Sequence, residues 1–183
     1  MKTFSSVPPW NGTPARLLVF FFEHPTGTFY ESEVRRQVRI SAGAVNKHLK
    51  SLAEHGYLTS ERKGNMNFYR LNRTSGMVRD MKAAWNMSLP LAGKLKDAAR
   101  ELDVKIYLYG STARGEDIED SDWDILVIGT VPLTEIEGKF NDIRKTSKRK
   151  LSLMVFTSAE WLAMWQKDPA FYERVEKDKK ELT

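Results

Sequence analysis

The sequence predicts an α+β protein built in two parts, and three observations carry that prediction. The chain has 183 residues, more than one small domain needs. Its early segments show helical periodicity followed by a hairpin signal, whereas the later ones alternate short β-branched runs with helical stripes. Charge changes sign between the halves: residues 1–90 hold 13 Lys and Arg against 6 Asp and Glu, net +7, and residues 91–183 hold 16 against 18, net −2. A polyanion therefore suits the first half, because Lys and Arg displace condensed counterions from phosphates.

Thr13-Pro14 reads as an N-cap followed by proline in the first helical position, and the helix runs through Ala15 to Glu23 until His24-Pro25 stops it. Leu17, Leu18, Phe21 and Phe22 face its core. A second helix is predicted over Glu31–Val38, with Val34 and Val38 on one face and Arg35, Arg36 and Arg39 outside. Ser41 caps a third, in which Val45, Leu49 and Leu52 recur at i, i+4 and i+7 and point inward together. Gly43, Ala44, Asn46, Lys47 and Lys50 are left outside. Gly56 closes this helix, Tyr57–Arg62 reads as a strand, Lys63-Gly64-Asn65 as a turn, and Met66–Leu71 as the returning strand. A linking helix over Ser75–Met87 carries Met77, Val78, Met81, Ala84 and Trp85, a stripe that suits either a homodimer contact or packing on the next domain. The expected organisation is a first domain at 1–73, a linker at 74–90 and a second domain at 91–183.

In the second half Pro90 opens a helix with Leu91, Leu95, Ala98, Ala99 and Leu102 on one stripe. Val104–Tyr109 and Ile125–Ile128 read as buried strands. Between them stand Gly110-Ser111, ten residues from Thr112 to Ser121, and Asp122-Trp123-Asp124. Leu133–Lys150 is predicted as a helix whose end carries five cations, and Leu151–Phe156 as a strand. Thr157 and Glu160 form a capping box for a helix that places Trp161, Met164 and Trp165 on one side. Asp168-Pro169 starts a last helix packed through Phe171, Tyr172 and Val175, and the charged tail from Glu176 onward frays.

Composition removes whole classes of function. The longest strongly apolar run, Leu17–Phe22, falls far short of the roughly 20 residues of a membrane span, so no membrane partner is expected. The start, Met1-Lys2-Thr3-Phe4-Ser5-Ser6, leads into Pro8 and Pro9 instead of an apolar stretch, which argues against a secretory signal, so a cytoplasmic protein is expected. Without cysteine there are no disulfides, thiolate nucleophiles or Cys-based zinc sites. His24, His48 and His55 are scattered and leave little for imidazole metal chemistry.

Three short helices and a hairpin, with a small, polar and basic outer face on the third helix, resemble a winged helix-turn-helix. The resemblance covers residues 13–72 and includes Leu52-Ala53-Glu54-His55-Gly56-Tyr57-Leu58, similar to the helix end and strand start of many transcription regulators. It implies duplex DNA as a partner. Gly43, Asn46, Lys47 and Lys50 would meet the major groove, and Arg62, Lys63 and Asn65 at the wing tip would meet backbone phosphates or the minor groove. The same surface also suits the docking of a protein.

Tyr109-Gly110-Ser111-Thr112-Ala113-Arg114-Gly115 followed by Ser121-Asp122-Trp123-Asp124 resembles the minimal nucleotidyltransferase domains of the DNA polymerase β superfamily. The resemblance spans residues 90–183. It implies an α/β domain with a small mixed sheet that uses Mg²⁺ or Mn²⁺ and a nucleoside triphosphate. Asp122 and Asp124, two apart on a strand, would project to one face, share the metal and serve as the catalytic carboxylates. Gly110 lets the backbone turn tightly towards phosphate, Ser111 and neighbouring amides donate to phosphate oxygens, and Arg114 adds charge. The family's third carboxylate is missing, because Ser152 stands in its place on Leu151–Phe156, and a serine is no base near neutral pH. Two functions follow. One is a DNA-binding nucleotidyltransferase with an unknown acceptor: a protein, an RNA or a small molecule. The other is a transcriptional regulator, antitoxin-like in one form, whose weakened second domain senses nucleotide or mediates assembly.

Overall fold

The computed structural model describes residues 12–182. The Pro8-Pro9 start, on which the cytoplasmic expectation rests, lies outside the described residues. Among those residues no helix is long and apolar enough to cross a membrane. The chain forms two compact units that divide between Trp85 and Asn86.

The first unit runs α1 (Thr13–Glu23), β1 (Phe29–Tyr30), α2 (Glu31–Val38), α3 (Ala42–Glu54), β2 (Leu58–Lys63) and β3 (Met66–Leu71). Its three strands pair antiparallel in the order β1-β3-β2. The apolar positions at helical spacing make the core: Leu17, Phe21 and Phe22 from α1, Val34 and Val38 from α2, and Val45, Leu49 and Leu52 from α3 are buried. Three details depart from the sequence reading. Gly12, at φ 89°, occupies the N-cap of α1, so Thr13 is already helical. The strand β1 has no counterpart in the reading, since two residues are too few to show a period of two. In α4 (Gly76–Ser88), Val78 and Trp85 are buried but Met77 is 46% exposed, because a row seven residues apart leaves its neighbour outside.

The second unit runs α5 (Pro90–Leu102), β4 (Lys105–Tyr109), the single turn α6 (Gly110–Ala113), β5 (Trp123–Ile128), α7 (Leu133–Thr146), β6 (Leu151–Phe156), α8 (Ser158–Lys167), α9 (Pro169–Asp178) and β7 (Lys180–Glu181). The sheet has the order β6-β5-β4-β7, with β5 and β6 parallel and the other pairs antiparallel. Alternation along β5 sorts its two faces. Trp123, Ile125 and Val127 join the core made with Leu95, Ala98 and Ala99 of α5 and Ile136, Phe140 and Ile143 of α7. Leu126 faces the other way, onto Trp161 of α8 and Val175 of α9.

Two expectations are corrected here. The helix predicted to Lys150 ends at Thr146, because the chain must turn to bring Leu151 beside Trp123. In that turn the Ser147 hydroxyl donates to the Arg149 carbonyl at 2.9 Å, and the Lys150 carbonyl accepts from Trp123 N at 2.9 Å. The tail does not fray. Lys180 and Glu181 pair with β4, and the amide of the fully buried Leu182 donates to Ile106 O at 2.8 Å. One apolar residue inside a charged stretch anchors the fourth strand.

Candidate functional site

Strand register places three of the singled-out residues in one row across the sheet. Tyr109 of β4 pairs with Asp124 of β5, and Asp124 pairs with Ser152 of β6, so the three side chains share a face. Gly110, at φ 71°, turns the chain from β4 into α6. The Asp124 carboxylate lies against it: a Cβ on Gly110 would stand 2.2 Å from Asp124 Oδ2. Glycine is therefore required twice, by the backbone and by the carboxylate above it.

Asp122 does not share the strand, contrary to expectation. It is exposed and precedes β5, because β6 begins opposite Trp123 and offers the residue before it no ladder partner. Its carbonyl is fixed by a hydrogen bond from Thr112 Oγ1 at 3.1 Å. The two carboxylates still feel each other. Burial pushes the Asp124 carboxyl above its ordinary range, the Asp122 charge pushes it further, and Arg114 pulls it partly back. A partly buried acid beside a second acid offers a cation two carboxylates as ligands. The donors are hard oxygens and suit Mg²⁺ or Mn²⁺. With Ser152 in the row, no group of three or more metal-binding His, Cys, Asp or Glu gathers among the described residues.

Ser111 is half-buried in α6, and its carbonyl accepts from Glu116 N at 2.9 Å. Arg114 is engaged by two carboxylates, Asp178 at 2.5 Å and Glu116 at 2.8 Å. Sequence reasoning missed two further supports. Asn86 Nδ2 donates to the Thr112 carbonyl at 3.0 Å and to Oδ1 of the buried Asp117 at 2.9 Å, which ties α6 to the loop behind it. Arg149 Nη1 donates to the carbonyls of Ile118 and Glu119 at 3.1 and 2.6 Å, so one of the five cations in the basic stretch braces the approach to Asp122. A groove of about 750 Å³ opens at the other end of the strands, where Val104, Gly129, Thr130 and Trp161 line it away from the acid pair.

In the first unit Gly43, Lys47 and Lys50 are exposed on α3, and Arg62, Lys63 and Asn65 are exposed at the hairpin end. Lys63 pairs with Glu61 at 3.4 Å, and Arg62 Nε donates to Gly64 O at 3.2 Å. Asn46 differs from the expectation of a freely outward side chain. It is half-buried, and its Nδ2 donates to Glu31 Oε2 at 2.7 Å, because the start of α2 packs beside this turn of α3. Asn46 and Asn65 line one concavity of about 420 Å³ together with Tyr30, Arg35 and Met66.

The row, the glycine beneath it and the acid before the strand can be set beside known families. Residues 92–181 match the nucleotidyltransferase domain family. The matched segment begins in α5 and ends in β7, so the match takes in the whole mixed sheet and every residue of the row. Nucleotidyl transfer is thereby supported at the level of the family, which generally works on a nucleoside triphosphate with a divalent metal. No curated protein matches the chain.

Proposed function

We propose that this chain is a DNA-binding nucleotidyltransferase that passes a nucleoside monophosphate from a triphosphate to a hydroxyl acceptor. The observation that carries the transfer is the Asp124 carboxylate seated on Gly110 beside Asp122, inside a segment that matches nucleotidyltransferase domains. Asp122 and Asp124 would hold Mg²⁺ or Mn²⁺, which offsets triphosphate charge and polarises the α-phosphate when bound. Ser111 and the amides opening α6 are the donors for phosphate oxygens. In the transfer the acceptor oxygen bonds to the α-phosphorus, the bond from that phosphorus to the α,β-bridging oxygen breaks, pyrophosphate leaves, and the hydroxyl proton passes to water. Ser152 beside Asp124 supplies no carboxylate to take that proton, so transfer is slow. This serine favours a second reading: a regulator whose second unit senses the nucleotide without turning it over.

DNA binding rests on the first unit. Its support is the net charge of +7 in residues 1–90, the exposed Lys47 and Lys50 on α3, and the basic hairpin end, in a helix-strand-helix-helix-hairpin order that resembles winged helices. The test of the nucleotide site is calorimetry with each of the four triphosphates and Mg²⁺, on wild type and on Asp122→Asn/Asp124→Asn. Metal-dependent binding lost in the double variant is expected; equal affinity would remove the site. Labelled triphosphate incubated with protein and cell extract then separates transfer from sensing.

A further inference from the structure

We propose that Arg174 of α9 is the cation that receives the triphosphate in the candidate site, an inference that rests on the nucleotide-binding reading above. A single divalent cation shared with Asp122 and Asp124 offsets only part of the charge of a triphosphate, so the chain itself must supply further positive charge. Arg114 is poorly placed to meet it. Its guanidinium is already shared by Asp178 and Glu116 at 2.5 and 2.8 Å, a trio that carries net negative charge.

The helix that supplies Asp178 brings another guanidinium to the same strip. Phe171, Arg174 and Asp178 fall at i, i+3 and i+7 of α9 and therefore share one face. The two outer members of that face are anchored on either side of Gly110. Phe171 meets Tyr109, the residue before Gly110, edge to face with ring centroids 6.3 Å apart, while Asp178 holds Arg114 at the end of α6. Arg174 stands between these anchors. Its guanidinium lies 5.5 Å from the centre of the Phe171 ring, and its charge acts on the Tyr109 phenol in opposition to that of Asp124. It is exposed and makes no ion pair with any described residue. Stacking on an aromatic face orients a guanidinium while leaving its N–H groups for a phosphate.

The experiment uses the full chain, Mg²⁺ and two kinds of probe: the four nucleoside triphosphates, and inorganic tripolyphosphate, which has no base. Arg174→Ala should weaken all five by a similar factor of about 10 to 100, the loss of a charge-assisted hydrogen bond to phosphate. Arg174→Lys should recover part of the affinity, because charge without the planar fork serves one oxygen at a time. Binding of Mn²⁺ alone, read by electron paramagnetic resonance, should be the same in Arg174→Ala as in wild type, which a merely structural defect would not spare. Should Arg174→Ala fold poorly, Arg174→Gln preserves the ring contact and carries the same expectation. Wild-type affinity in these variants, with binding abolished in Asp124→Asn, overturns the role of Arg174 and leaves the nucleotide site standing. A wild-type protein that binds no triphosphate overturns both.

Discussion

Replacing Gly110 by alanine separates two demands that coincide at one position. The backbone demand is its φ of 71°, where a residue with a Cβ costs about 1–2 kcal/mol. The packing demand is Asp124 Oδ2, only 2.2 Å from where that Cβ would stand, so the carboxylate must swing away or the turn of α6 must shift. Forced displacement in a packed site costs about 1–3 kcal/mol, which brings the total to roughly 2–5 kcal/mol. A double-mutant cycle resolves the parts. In an Asp124→Ala background the oxygen is gone, and Gly110→Ala should cost only the backbone share, leaving a coupling of about 1–3 kcal/mol. Urea unfolding followed through amide signals of β4 and β5 reports this unit alone, which matters because a chain of two units need not unfold in one step. Gly110→Ala should also lose metal-dependent nucleotide binding, since the moved carboxylate is the one assigned to the cation. Equal destabilisation in both backgrounds would refute the packing of Asp124 on Gly110.

Five further outcomes are expected. The raised proton affinity of Asp124 makes a stability contribution that is full below the unfolded-state pKa and lost as pH rises through the folded one; metal-free wild type should weaken across that window, and Asp124→Asn should not. In Asp122→Asn the Asp124 titration, followed by carboxyl NMR, should move down only part of the way, because burial is the larger cause. Ser152→Asp restores an acid beside Asp124 and should raise transfer by about 10² to 10⁴, read as labelled product against wild type; no gain with any acceptor tried favours the sensing role. Lys47→Ala/Lys63→Ala should weaken duplex DNA binding and lower the log–log salt slope by about one per lost phosphate contact, and wild-type affinity and slope would contradict this surface. Leu182→Ala removes a fully buried side chain and should cost about 2–5 kcal/mol in the same urea experiment, whereas no change would detach β7 from the fold.

The sequence by itself determined the elements that have a period and the chemistry that has a spacing. Val34 and Val38, or Val45, Leu49 and Leu52, repeat often enough to reveal a helix and its buried face, and α2 and β6 have the bounds their apolar patterns predict. Gly110-Ser111 and Asp122-Trp123-Asp124 are local in the chain, so their separation could be read directly. Tertiary structure decided everything that depends on partners distant along the chain. Whether Asp122 lies on a strand depended on where β6 begins, and the place of Ser152 depended on its parallel register with Asp124. The charged tail became a strand because Leu182 finds a buried seat and Ile106 offers a carbonyl, neither of which leaves a local mark. Arg114 stands in the motif and Arg174 in none, so the sequence points to the first arginine alone. Only the packing of α9 gives one to Asp178 and stacks the other on Phe171, because hydrogen bonds and ring contacts select among equal side chains by position in space.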